Sequence, residues 1–102
     1  MSMEAPRQMQ MLMVIVQSEH KEKLEAALSD RRVLGYTEIP TVYGMGKTGP
    51  RLGSGAFPET SSIVLTVVEK EKVDELLAAI DASCAECRAS MRMIVWSVDR
   101  MI

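Results

Sequence analysis

The chain has 102 residues, of which 47% are apolar and 25% charged, and 12 basic against 14 acidic side chains leave a formal net charge of −2. That length supports one hydrophobic core but not two, and the composition is that of a globular chain rather than a disordered or fibrous one. The charge offers no overall field toward nucleic acid or an anionic membrane, so neither is expected as a partner.

Residues 1–8 are expected to be a flexible N-terminus. From Gln8 to Val16 the run is apolar and partly β-branched, which fits a strand. Its core, MLMVIV, is too short to span a bilayer and lacks the flanks of a signal peptide, so a cytoplasmic location without membrane insertion is expected. Ser18 offers an N-cap for a helix in which Leu24, Ala27, Leu28 and Arg31 fall at helical spacing, and Gly35 offers a stop. Thr37 to Tyr43 reads as a second strand, with Pro40 marking an edge or a bulge.

After a glycine-rich segment, Ser62 to Val68 is a third strand. The run KEKVDELLAAIDAS is then a helix with Val73, Leu76, Leu77 and Ile80 on one side, and Met91 to Val98 is a fourth strand. The order βαββαβ predicts an α+β ferredoxin-like sandwich, a four-stranded antiparallel sheet with both helices on one face. KEKLEAAL at Lys21 and KEKVDELL at Lys70 suggest two repeated halves 49 residues apart, although amphipathic helices in general share this composition. The strands are apolar at nearly every position, so both sheet faces should be buried, the open one by another chain.

The segment GMGKTGPRLGSG (Gly44–Gly55) is not a Walker A loop. Aligned on Gly46, Lys47 and Thr48, the first glycine position holds Thr41, and the segment leads into a strand rather than a helix. What remains is a loop of about 19 residues, 43–61, a length that marks functional or mobile loops. Gly44 and Gly46 free the backbone for close approach, while Lys47 and Arg51 supply cations, so the segment is either a phosphate site or a solvated flexible loop.

Cys84 and Cys87 form a CxxC that reads as ordinary half-buried thiols, a redox pair, or half a metal site whose other donor would be His20. Met9, Met11 and Met13 with Met91 and Met93 suggest a methionine patch on neighbouring strands, for interface packing or for Cu(I). His20, alone among acids and lysines, reads as a solvated helix residue. With no nucleophile and base set, no enzyme is expected.

The βαββαβ pattern, TEIPTVYGMGKTG, GPRLGSGAFPETSS and the ending MIVWSVDRM resemble the P-II signalling family, in particular its smaller P-II-like branch, which includes carboxysome-associated, inorganic-carbon-linked members. The resemblance implies a single-domain homotrimer with sheets facing inward and adenine nucleotides between subunits. It also implies a mobile T-loop (43–61) that acts on a transporter or enzyme. Carried over by position, it implies nucleotide contacts from Thr37, Gly44, Gly46, Lys47, Thr48, Ile63 or Val64, and Arg92. Pro50, Arg51, Leu52 and Phe57 would meet a partner, and no metal site is implied. Thr48 replaces the glutamine of nitrogen-regulatory members, Tyr43 lies at the loop base rather than its tip, and SCAECRAS replaces a glycine-rich loop. Sensing of 2-oxoglutarate and uridylylation are therefore not expected, and ADP or AMP should bind better than ATP, with bicarbonate as a second ligand. The alternative is a metal-responsive protein using the CxxC and the methionine patch.

Overall fold

The computed structural model describes residues 8–30, 33 and 35–102. The expected flexible N-terminus therefore lies outside the described residues except for Gln8, whose carbonyl accepts a hydrogen bond from the Lys70 amide at 3.0 Å. In chain order the elements are β1 (Met9–Gln17), a 3-10 turn (Ser18–His20), α1 (Lys21–Asp30), β2 (Thr37–Val42), β3 (Gly44–Gly46) and β4 (Gly49–Arg51). Then come β5 (Ser61–Glu69), a second 3-10 turn (Lys70–Lys72), α2 (Val73–Ser83), 3-10 turns over Ala85–Ser90 and β6 (Arg92–Val98).

β2, β5, β1 and β6 form one antiparallel sheet in that order, and β3 and β4 form a separate ribbon. This is the expected ferredoxin-like arrangement. β2 is an edge strand whose register shifts between Ile39 and Val42, around Pro40, as a proline without an N–H requires.

The core lies on one face of the sheet. Leu12, Val14 and Val16 of β1 and Val64 and Val68 of β5 pack against Leu24, Ala27 and Leu28 of α1 and Val73, Leu76 and Ile80 of α2. Alternate residues of the same strands point the other way, and there Ile39, Ile94 and Trp96 remain 36–43% exposed. Of the expected α1 stripe, Arg31 lies outside the described residues.

The halves do repeat, but not at the spacing suggested by the KEK match. β1 and β5 start at Met9 and Ser61, the turns at Ser18 and Lys70, and the helices at Lys21 and Val73, a constant offset of 52. At that offset the buried residues of the helices correspond, Leu24 with Leu76 and Leu28 with Ile80. A slip of three residues is nearly one helical turn, so it preserves the amphipathic pattern while shifting every residue.

Two expected helix signals are used differently. Ser18 does not cap a helix: the residue preceding the 3-10 turn is Gln17, which makes no side-chain cap. Instead Thr60 Oγ1 donates to Ser18 Oγ at 2.8 Å, the Ser18 and Ser62 hydroxyls meet at 3.1 Å, and Ser62 Oγ donates to Pro40 O at 2.7 Å. This chain of hydroxyls ties the end of β1 to the end of the long loop, to β5 and to β2. Gly35 is not left-handed, since only Gly49 and Gly53 have positive φ, so it is not the expected glycine stop.

Candidate functional site

The segment between β2 and β5, read from sequence as a loop over 43–61 without strands of its own, contains a short hairpin. β3 and β4 pair as Gly44↔Arg51, Met45↔Pro50 and Gly46↔Gly49, leaving Lys47 and Thr48 as a two-residue turn. Gly49, at φ 109°, lets the chain leave that turn, a conformation that costs any other residue. Residues 52–60 then fold back on themselves, with Leu52 and Ser54 amides donating to Phe57 O at 3.3 and 2.9 Å and Gly53 N donating to Glu59 O at 3.1 Å. Gly53 has φ 61°, and a Cβ there would sit 2.8 Å from Tyr43 Cε1.

Arg51 differs most from expectation. It is 6% exposed, not displayed for a partner. Its guanidinium donates to Ser61 Oγ at 2.9 Å, Thr48 Oγ1 at 2.8 Å and Ser90 O at 3.1 Å, so one side chain joins the hairpin, β5 and the turns before β6. Its Nε is buried without a partner, and such an orphan donor calls for an explanation such as a ligand. Pro50 is half-buried, while Leu52 and Phe57 are 46% and 44% exposed.

Beside this anchor lies a cleft of about 990 Å³ formed by the hairpin, the end of β2, the start of β5, and the segment from Arg88 to Met93. Gly44, Gly46, Lys47, Thr48, Ile63 and Arg92 line it, as does Arg51, read from sequence both as a phosphate-site cation and as a partner contact, and so do Tyr43, Ser61, Arg88 and Ser90, which were not assigned to a nucleotide site from sequence. Val64 does not. It is 1% exposed in the helix-covered core, because successive strand residues face opposite ways and Ile63 takes the cleft side. Thr37 does not either, since it begins β2, paired with Leu65, while it is the Val42 end of that strand that lines the cleft.

No carboxylate lines the cleft, yet four cationic side chains do. Arg88 is engaged outside it, its Nε donating to Asp81 Oδ1 at 2.9 Å and its Nη2 to Oδ2. Lys47, Arg51 and Arg92 have no carboxylate partner among the described residues. In a chain of net charge −2 this is a concentrated positive site, suited to an anion with an apolar part against Ile15, Ile63 and the ring of Tyr43.

The cysteines and methionines are not arranged as expected. Cys84 and Cys87 are joined in a disulfide and buried, 5% and 2% exposed, rather than standing as half-buried thiols. The methionines do not form one patch. Met13 pairs with Ile94 and Val14 with Met93, so Met9, Met11 and Met13 lie on the open face while Met93 lies with Val14 on the helix side, where Met91 also packs against the core. This removes the shared methionine site of the metal-responsive alternative. His20 is not a solvated residue of α1: it ends the 3-10 turn before the helix, its side chain is 16% exposed, and one of its ring nitrogens lies within 4.8 Å of both sulfurs.

Away from the cleft, Lys21 Nζ donates to Glu38 Oε1 at 2.9 Å, fastening α1 to β2. That bond holds the Glu38 carboxyl below the usual carboxylate range and raises the Lys21 ammonium. Glu25 is pushed up, first by its hydrogen bond with Glu38 and then by desolvation. Tyr36, donating to Glu25 Oε2 at 3.3 Å, is raised chiefly by desolvation and then by the charge of Glu25.

No helix of the described residues is long and apolar enough to cross a membrane. No curated protein matches the chain in sequence. Among solved structures it is similar to CPII, a nitrogen regulatory PII-like protein from Thiomonas intermedia K12 bound to ADP, AMP and bicarbonate. The TM-score is 0.69 and the identity 22%, over 91% of this chain and 90% of that one. It is also similar to a DUF3240 family protein from Shewanella baltica OS155, with TM-score 0.71, 17% identity, and 91% and 92% coverage. Arabidopsis thaliana PII bound to citrate gives TM-score 0.68, 17% identity, and 90% and 78% coverage. These likenesses speak for the fold. Residues 9–101 match the family profile described as nitrogen regulatory protein P-II. With nearly the whole chain inside that match, the protein belongs to the P-II family.

Proposed function

We propose that this single-domain chain is a cytoplasmic P-II-like regulator that binds ADP or AMP, and ATP less well, with bicarbonate as a second ligand. The observation that carries the reading is the cleft, which gathers Lys47, Arg51 and Arg92 with no carboxylate among its described lining residues. Phosphate oxygens would accept from those cations and from the backbone around Gly44 and Gly46, and the base would rest on Ile63. With Arg88 held by Asp81, three cations without a carboxylate partner among the described residues match a diphosphate better than a triphosphate.

The working form is a homotrimer. Ile15, Ile63 and Arg92 belong both to the cleft and to the open apolar face, as the pairing Ile15↔Ile63 and Ile15↔Arg92 requires. A neighbouring chain that covers that face also closes the cleft, and its Thr37 would complete the nucleotide site from the other side. Ligand contacts at Lys47 and Thr48 would then bias the conformation of residues 52–60, and the exposed Leu52 and Phe57 would carry that state to a transporter or enzyme. Such a regulator needs no catalytic step of its own.

Isothermal calorimetry with ADP, AMP and ATP, with and without bicarbonate, tests the reading. Binding of ADP or AMP that Lys47→Ala and Arg92→Ala each weaken supports it. Absence of binding by all three nucleotides, or unaltered affinity in both variants, overturns it.

A further inference from the structure

Three donors that the nucleotide reading does not use come together at the end of the molecule where the 3-10 turn before α1 meets the segment after α2. One ligand atom each from His20, Cys84 and Cys87 lies within 4.8 Å of the others. Both cysteines are more than nine-tenths buried, and the His20 side chain is 16% exposed. The ion pair between Lys23 of α1 and Glu86, between the two cysteines, ties the two segments together, and the Cys87 amide donates to Cys84 O at 3.1 Å.

We propose that, with the Cys84–Cys87 disulfide reduced, these three side chains form a binding site for a thiophilic closed-shell cation, Zn²⁺ or Cu⁺. Two thiolates and an imidazole are the donors such ions select, whereas Mg²⁺ and Ca²⁺ take oxygen. The size fits. At zinc distances of about 2.3 Å to sulfur and about 2.0–2.1 Å to nitrogen, tetrahedral ligand atoms stand roughly 3.5–3.8 Å apart, so the sulfurs, bonded to each other in the disulfide, separate to that spacing on reduction, while the imidazole nitrogen is already within 4.8 Å of both. Water reaching the partly exposed His20 side fills a fourth position on Zn²⁺, and a three-coordinate Cu⁺ needs none. The carboxylate of Glu86 offsets some of the cation's charge. Methionine has no part in the site, and it stands whether or not the cleft binds nucleotide.

The site is gated by oxidation state. A dithiol reductant supplies two electrons and two protons, breaking the S–S bond to give two thiols and becoming a disulfide itself. The metal ion then displaces both thiol protons as it binds. In the oxidised chain the sulfurs are spent on each other.

Competition against a chromophoric chelator, run for Zn²⁺ and, without oxygen, for Cu⁺, compares the reduced with the oxidised full-length chain. The proposal expects one equivalent of one of these ions per reduced chain and none per oxidised chain. Because both forms have the same sequence, that comparison does not depend on a variant folding. His20→Ala should weaken uptake at least about tenfold, the loss that even an outer-shell partner commonly produces. Co²⁺ bound to the reduced chain should show thiolate-to-metal charge-transfer absorption that Cys84→Ser diminishes. Failure of the reduced chain to take up either ion, equal uptake by the oxidised chain, or an unchanged affinity in His20→Ala would overturn the proposal.

Discussion

If Arg51 is an internal anchor, Arg51→Ala should loosen two segments at once, the hairpin Gly44–Arg51 and the turns Ala85–Ser90. The guanidinium makes three charge-assisted hydrogen bonds, to Ser61, Thr48 and Ser90, each worth about 1.5–3 kcal/mol. Not all of that is lost. The hydroxyls of Ser61 and Thr48 can turn to other partners, and the variant no longer buries an unpaired Nε–H, a group that itself costs about 1–3 kcal/mol. What is not recovered is the bond to Ser90 O and the tie between the two segments, a net of roughly 2–4 kcal/mol. At tenfold per 1.4 kcal/mol, amides of these segments should exchange with solvent roughly 30- to 1,000-fold faster, while those of α2 and β1 keep their rates. Hydrogen exchange read by NMR or mass spectrometry measures this directly. Arg51→Lys should fall between, since an ammonium keeps the charge but cannot fork to three acceptors. Wild-type exchange rates in both segments of Arg51→Ala would refute the anchoring role and return Arg51 to the partner-facing place its sequence context suggests.

Gly53→Ala should destabilise the chain by about 1–2 kcal/mol or more, because φ there is 61° and the new Cβ would press on Tyr43. Adding Tyr43→Ala relieves the contact but not the backbone strain, so denaturant titration of the double variant should show partial recovery. Trp96→Glu places a charge on the open face opposite Met11; if the parent is the proposed trimer, sedimentation velocity should then find a folded monomer, and an unaltered mass would count against that face as the interface. In carboxyl-detected NMR, Glu38 should titrate below and Glu25 above the ordinary glutamate range. The stabilisation from Glu38 is accordingly present above that range and fades as pH falls through its lowered value, whereas that from Glu25 is present at low pH and fades as pH rises through its raised value. Lys21→Met should move Glu38 upward, and no movement would dissociate the two groups.

The elements were legible in the sequence because each depends on local pattern. Strand edges fall within a residue or two of their apolar runs, and the buried stripes of both helices are those their spacing predicts. The repeat shows where local pattern misleads. KEK opens α1 at Lys21 but forms the 3-10 turn ahead of α2 at Lys70, and identical composition three residues out of phase looks like homology of position. Gly44, Gly46 and Lys47, which line the cleft, were readable as candidates because glycine and cation chemistry is carried by the segment itself. The anchoring role of Arg51 was not readable, because its partners Ser61 and Ser90 lie far along the chain from it.

The remaining differences share one physical cause, the two-residue period of a strand. In a sheet whose strands are apolar at almost every position, sequence cannot say which alternate set faces the helices, since either choice buries hydrophobic side chains. Ile63 and Val64 were therefore equivalent candidates for the cleft, and the pairing Ile15↔Ile63 beside Val14↔Val64 decides between them. The same parity at β6 sends Met93 inward with Val14 and Ile94 outward with Met13, dividing a methionine set that the sequence presents as one. Uniformly apolar strands thus hide the face assignment, as they would if both faces were covered, one by α1 and α2 and the other by the neighbouring chain of the proposed trimer. The ambiguity in reading the strands is itself an argument for the oligomer: a monomer with a solvated sheet face would have declared its inward set by alternation.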